Sequence, residues 1–148
     1  MTQPELEQIA RQIAKYEGVD PALVCAVCHH ESGNWQRWAF RYEPGFYRRY
    51  IEKMTGLSDT EKTGRATSWG LMQVMGQTAR EFGFSETYLT ALLDPAVGIL
   101  FGCKKLKRCL DDANGNIRDA LLKYNGGANL AYPDAVLHHY QKYVSNLS

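Results

Sequence analysis

The chain has 148 residues, with 17 Lys and Arg against 16 Asp and Glu and a formal net charge of +1, so it carries no global basic field of the kind that nucleic-acid binding needs. At 45% hydrophobic and 22% charged residues its usage is that of a globular chain and excludes intrinsic disorder, and its length predicts one domain over residues 1–148 that buries a core without staples. The longest apolar run, Ala22 to Cys28, falls far short of the roughly 20 residues of a membrane span.

The opening residues Met1 to Glu7 hold neither a basic n-region nor an apolar h-region, so no secretory signal is expected. Pro4 suits a first helical turn, and Leu6, Ile9, Ala10, Ile13 and Ala14 form one stripe closed by Gly18. Asp20-Pro21 pairs an N-cap with a proline at the first helical position and opens a helix from Ala22 to about Ser32. That helix is apolar all round in its first two turns, which predicts burial; Gly33 ends it. Pro44 opens a short helix carrying Phe46, Tyr47, Tyr50 and Ile51. Thr55 to Ser68 holds Gly, Ser, Thr and charges and is expected to be a loop with at most a short turn.

Gln77 to Phe84 is predicted helical, stopping at Gly83, and Ser85 caps a further segment through Leu93. Asp94-Pro95 repeats the cap-and-proline signature ahead of a long helix to about Leu110. Asn116 caps Ile117 to Tyr124, which Gly126-Gly127 terminates. Pro133 opens a last helix with Val136, Tyr140 and Val144 on one face. No run alternates convincingly with period two, so any sheet is minor. The class is all-α with seven or eight helices.

Four cysteines are too few here for a disulfide framework. Cys103 and Cys109 are separated by ~9 Å of helical rise, beyond the ~7 Å limit for bridging Cα atoms. Reduced, partly buried thiols are expected, with cross-pairing to Cys25 or Cys28 as the alternative.

Glu31 is the most informative residue. It follows Val24 by seven, Val27 by four and Cys28 by three, and so shares their face at the end of a buried helix. Desolvation and the negative end of the helix dipole both disfavour its carboxylate. An acid kept protonated near neutral pH can donate a proton to a leaving group; the alternative is a surface glutamate on a frayed end. Gly70-Leu71-Met72-Gln73 follows Thr67 and Ser68: glycine admits close backbone approach, methionine adapts to irregular apolar surface, and the glutamine amide suits an N-acetyl group. The plainer reading is a loop returning to the core. Tyr124-Asn125-Gly126-Gly127 is either a stop signal or a pair of hydrogen-bonding groups turned into a cleft.

Taken in order, Glu31-Ser32-Gly33, Gly70-Leu71-Met72-Gln73, Tyr124-Asn125-Gly126-Gly127 and then Tyr132 resemble the soluble lytic transglycosylase catalytic domain, which shares the lysozyme-like fold with goose-type lysozymes. The resemblance runs from about Pro21 to about Tyr143. It implies Glu31 as the single catalytic acid/base and Ser32 as a sugar contact. Met72 and Gln73 would line the saccharide sites, with Tyr124 hydrogen-bonding near the glutamate, Asn125 as its polar neighbour and Tyr132 as the tyrosine of the last loop. It implies peptidoglycan glycan strands as the partner, no cofactor and no metal. The reaction implied cleaves the N-acetylmuramic acid to N-acetylglucosamine bond and leaves a 1,6-anhydro ring.

Glu43, twelve residues after Glu31, is a second carboxylate that makes hydrolysis, as in an N-acetylmuramidase, the alternative reaction. A non-catalytic saccharide-binding module is the further alternative, which a desolvated Glu31 argues against. The block Arg41 to Tyr50 mixes aromatic and basic residues, suited either to sugar faces or to a core-and-rim helix. Cys25, Cys28, His29 and His30 are metal-ligand types without a second ligand pair. Lys104, Lys105, Lys107 and Arg108 are expected on a solvated face, or against an anionic wall. A phage-encoded monomer acting on the bacterial wall, released from the cytoplasm or carried on the virion, is the expected setting.

Overall fold

The computed structural model describes residues 1–145. Its helices are α1 (Gln3–Glu17), α2 (Pro21–Glu31), α3 (Pro44–Phe46), α4 (Asp59–Arg65), α5 (Gly76–Glu81), α6 (Pro95–Asp112), α7 (Ile117–Tyr124) and α8 (Tyr132–Ser145). A π-helical turn, Tyr47–Ile51, extends α3, and a 3-10 turn, Leu89–Leu93, precedes α6. The strands β1 (Phe40–Tyr42), β2 (Thr67–Trp69) and β3 (Val74–Met75) form one antiparallel sheet in that order. The all-α reading therefore holds, with a small sheet.

The helix starts follow from caps. Thr2 Oγ1 accepts from Glu5 N while Glu5 accepts from Thr2 N, a reciprocal box. Asp20 Oδ1 accepts from Ala22 N at 2.9 Å, Asp94 Oδ1 from Ala96 N at 3.0 Å, and Asn116 Oδ1 from Asp119 N at 3.0 Å. Every residue from Ala22 to Cys28 is buried. Helix α2 lies between α1 and α8, while α6 packs on α1 and α7. One hydrophobic cluster runs from Leu6 to Tyr143, so the end of α2 is held in place by the whole core.

The polar stretch Thr55 to Ser68, expected as a loop, contains α4 and leads into β2. Ser58 caps α4, and Glu61 on it accepts from Arg65 at 3.0 Å and from Arg80 at 2.8 Å. Its charges tie it to α5 rather than to water. The segment from Ser85 is helical only as the 3-10 turn, and Ser85 caps nothing there. On α8 the buried face runs through Tyr132, Val136 and Tyr143, while Val144 is exposed. The last helix begins one residue earlier than expected, at Tyr132.

All four cysteines are unpaired and buried. Burial pushes the Cys25 and Cys103 thiols up to about 12, which suppresses the reactive thiolate. Cys25 and Cys28 face the core, and His29 Nδ1 shares a hydrogen bond with the Tyr143 hydroxyl at 2.7 Å.

Candidate active site

Glu31 is the last residue of α2 and lines a cleft of about 530 Å³. One wall of the cleft comes from α6 and the end of α7, through Lys105, Lys123, Tyr124, Asn125 and Gly126. Facing it are the sheet residues Arg41, Ser68 and Met75, with Gln73, and the chain from Glu43 to Phe46. Of the residues expected from sequence, the cleft gathers Glu31, Glu43, Gln73, Tyr124 and Asn125.

Tyr132 stands at the first turn of α8, 2% exposed, and its hydroxyl donates to Glu31 Oε1 at 2.6 Å. Among the described residues Oε2 receives no such bond. Burial raises the Glu31 carboxyl above its ordinary value of 4.5. That effect outweighs the Tyr132 hydrogen bond and the positive charges of Lys105 and His30, which all act the other way. The phenol of Tyr132 is pushed up by burial and by the adjacent carboxylate. The tyrosine therefore remains a donor, fixing one oxygen of the acid.

Tyr124 is fully within the wall. Its hydroxyl donates to the Met72 carbonyl at 2.7 Å, so it ties α7 to the Gly70–Gln73 loop rather than to Glu31. Met72 itself departs from the expected cleft position: its side chain is completely buried against Gly102 of α6, and its backbone carbonyl is taken by the Tyr124 hydroxyl. Ser32 also points inward. Its Oγ donates to Cys28 O at 2.6 Å and accepts from Trp35 N at 2.8 Å, closing the end of α2. Gln73 lies at the cleft in a left-handed backbone, φ 49°. Its Nε2 donates to Ala39 O at 3.1 Å and Gly70 O at 2.9 Å, and its Oε1 accepts from Ser68 Oγ at 3.0 Å. Both amide hydrogens are spent on the protein, which leaves one acceptor position for a sugar amide.

Glu43 shares the cleft, and Arg41 Nε sits 3.1 Å from its Oε1. Lys105 is the residue that sequence reasoning misplaced. It leaves the basic strip and enters the cleft wall, where Nζ donates to Tyr124 O at 2.9 Å and lies 3.9 Å from the Tyr124 ring centroid. Desolvation pulls its ammonium down, against the pull of Cys109 and Glu31. Its neighbours do stay outside: Lys104 pairs with Glu17 at 3.1 Å and Lys107 with Asp111 at 3.2 Å. The signal was the spacing, since position 105 lies three after Gly102 and four before Cys109, both buried. Among the described residues no three His, Cys, Asp or Glu side chains are grouped to hold a metal.

The site sets a buried carboxyl, one oxygen held by tyrosine, in a cleft between a helical wall and a small sheet, an arrangement able to donate a proton to a bound group. The family model described as the transglycosylase SLT domain matches residues 8–132; the chain belongs to that family. It is 38% identical over 84 residues to a protein of Enterobacteria phage PRD1 named "Transglycosylase", over 53% of this chain and 29% of that protein. The chain thus aligns with less than a third of that relative's length. No solved structure matches it.

Proposed function

We propose that the chain cleaves the peptidoglycan glycan strand by lytic transglycosylation, with Glu31 as the single acid and base. The observation that carries this reading is the raised carboxyl of Glu31, held by Tyr132 in the cleft. Glu31 protonates the glycosidic oxygen between N-acetylmuramic acid and N-acetylglucosamine, and the bond from C1 to that oxygen breaks. The resulting Glu31 carboxylate takes the proton of the muramic acid's own 6-hydroxyl as O6 bonds to C1. The 1,6-anhydro ring closes and Glu31 regains its proton. A tethered hydroxyl needs no second base, and well-oriented intramolecular reactions reach effective molarities of ~10⁵–10⁸ M. Family membership and the phage relative support this reading, and the setting proposed is a phage-encoded monomer acting on the bacterial wall.

Mass spectrometry of digested sacculi tests it. Products ending in 1,6-anhydro-N-acetylmuramic acid are expected, lighter by one water than reducing ends. Dominant reducing ends would instead make Glu43 the water-positioning base of a muramidase, and Glu43→Gln would then lower the rate sharply.

The pH profile offers a second test. Both the Tyr132 hydroxyl and the Lys105 charge favour ionised Glu31. Removing either, in Tyr132→Phe or Lys105→Met, raises the Glu31 carboxyl further. Since the acid acts protonated, the alkaline limb of kcat/KM is expected to move to higher pH in each variant. A limb that stays put would mean that another group sets it.

A further inference from the structure

The sheet has two useful faces. Phe40 pairs with Trp69, Arg41 with Ser68 and Tyr42 with Thr67. Alternation along the strands sends Arg41 and Ser68 into the Glu31 cleft, and Phe40, Tyr42, Thr67 and Trp69 to the opposite side. There they floor a second groove of about 710 Å³, larger than the cleft, walled by the start of α4 and by Thr87 to Thr90.

We propose that this second groove binds a neutral, N-acetylated saccharide segment of the glycan substrate, separate from the strand being cut. Phe40 and Tyr88 stand on its rim 65% and 69% exposed, with Trp69 below at 9%. The Trp69 and Phe40 rings stack with centroids 5.8 Å apart and planes 26° apart. Trp69 Nε1 is already satisfied by Gly64 O at 2.9 Å, so the ring offers the groove only carbon. Flat aromatic surface of this kind matches the C–H face of a pyranose ring, and burying it removes apolar area from water. Six Ser and Thr residues line the same groove. Thr67 Oγ1 is spent on Thr63 O at 2.7 Å and Ser58 Oγ accepts from Glu61 N at 3.1 Å, which leaves the exposed hydroxyls of Thr60, Thr63, Thr87 and Thr90 to meet sugar hydroxyls.

Charge narrows the ligand further. No Lys or Arg lines the groove, which disfavours nucleic acid, an anionic lipid surface or any other polyanion. Of its two carboxylates, Glu61 is engaged by Arg65 and Arg80, leaving Asp59 to accept from a sugar diol. The groove and the cleft lie back to back on the two faces of strands β1 and β2. A strand held there would keep the enzyme on an insoluble wall between cuts. The substrate identity rests on the function proposed above, whereas the groove's chemistry does not.

The probe is chitohexaose, titrated into ¹⁵N-labelled Glu31→Gln protein. The Trp69 indole signal is expected to shift saturably, and the added pair Phe40→Ala and Tyr88→Ala, both on exposed rims, to weaken that binding by about ten-fold. In the active enzyme the same pair should reduce co-sedimentation with purified sacculi while leaving the rate on short soluble glycan strands unchanged. A Trp69 signal that does not move, or a double variant that sediments like the parent, overturns the proposal; a groove reserved for a protein segment would give that result. If Trp69 responds but the parent enzyme releases no muropeptides, the groove stands and the catalytic reading falls. If muropeptides are released and Trp69 is silent, the reverse holds.

Discussion

Glu31→Gln is expected to lower glycan-strand cleavage by about 10²–10⁴-fold, the range that general acid/base catalysis supplies. The same variant should stay folded and become more stable than the parent at neutral pH. Its amide oxygen can still accept from the Tyr132 hydroxyl, which now lies 2.6 Å from Oε1, but the amide cannot give up a proton as an acid. The stability claim follows from the raised carboxyl. The folded chain holds the Glu31 proton more tightly than the unfolded chain does, because burial raises the group above its ordinary 4.5. Between the unfolded and folded values the native state therefore binds more protons, and parent stability falls as pH rises through that interval. The neutral variant lacks this loss, so its advantage appears above about pH 4.5, grows to the folded value and is constant beyond it. Turbidity assays on permeabilised cells and thermal melts over a pH series measure the two effects. Retention of more than about a tenth of the parent rate would remove Glu31 as the proton donor. A variant that loses activity together with stability would make it a structural residue, since functional groups are the ones whose removal commonly stabilises.

What could be read from the chain, and what could not, divides along physical lines. The long helices were legible because their start signals are local: the carboxylates of Asp20 and Asp94 cap the very turns that Pro21 and Pro95 open. The sheet was not. Its strands are two or three residues long, too short to show alternation, and β1 finds β2 across the chain, with Phe40 opposite Trp69. Helix α4 was hidden for a related reason: its polar residues match a loop, and its anchors are the distant Arg80 and the cap at Ser58. In the site, Glu31 could be located because its helix face is fixed by a 3.6-residue period. Motifs located Ser32 and Met72 without revealing which part of each residue works. Ser32 serves the end of α2, and Met72 contributes a carbonyl while its side chain fills the core. Lys105 was lost among its charged neighbours, although the buried periodicity of α6 passes through it.

Gly102→Ala is expected to destabilise the protein by about 1–3 kcal/mol and to slow cleavage as well. A Cβ at Gly102 would collide with the Met72 side chain, which is fully buried and has nowhere to retreat. Cores packed at crystal-like density transmit such an insertion to the backbone instead of absorbing it. The backbone that yields first is the Gly70–Gln73 loop. It is held by the bond from the Tyr124 hydroxyl to Met72 O at 2.7 Å and by the Gln73 amide bonds, all at the cleft wall. Met72→Ala alone leaves a cavity and should cost about 2–5 kcal/mol. Combined, the two changes relieve the contacts of the new methyl with Met72 Sδ and Cγ, while the residue-72 Cβ, 2.6 Å from it, still has to give. The double variant should therefore be more stable than the sum of the singles requires, with a coupling of about 0.5–3 kcal/mol. It should also recover part of the activity lost in Gly102→Ala. Urea melts of the four proteins give the coupling, and turbidity assays give the activity. Additive losses would mean that α6 and the loop do not meet at this contact, and that the cleft wall is positioned by the Tyr124 and Gln73 hydrogen bonds alone.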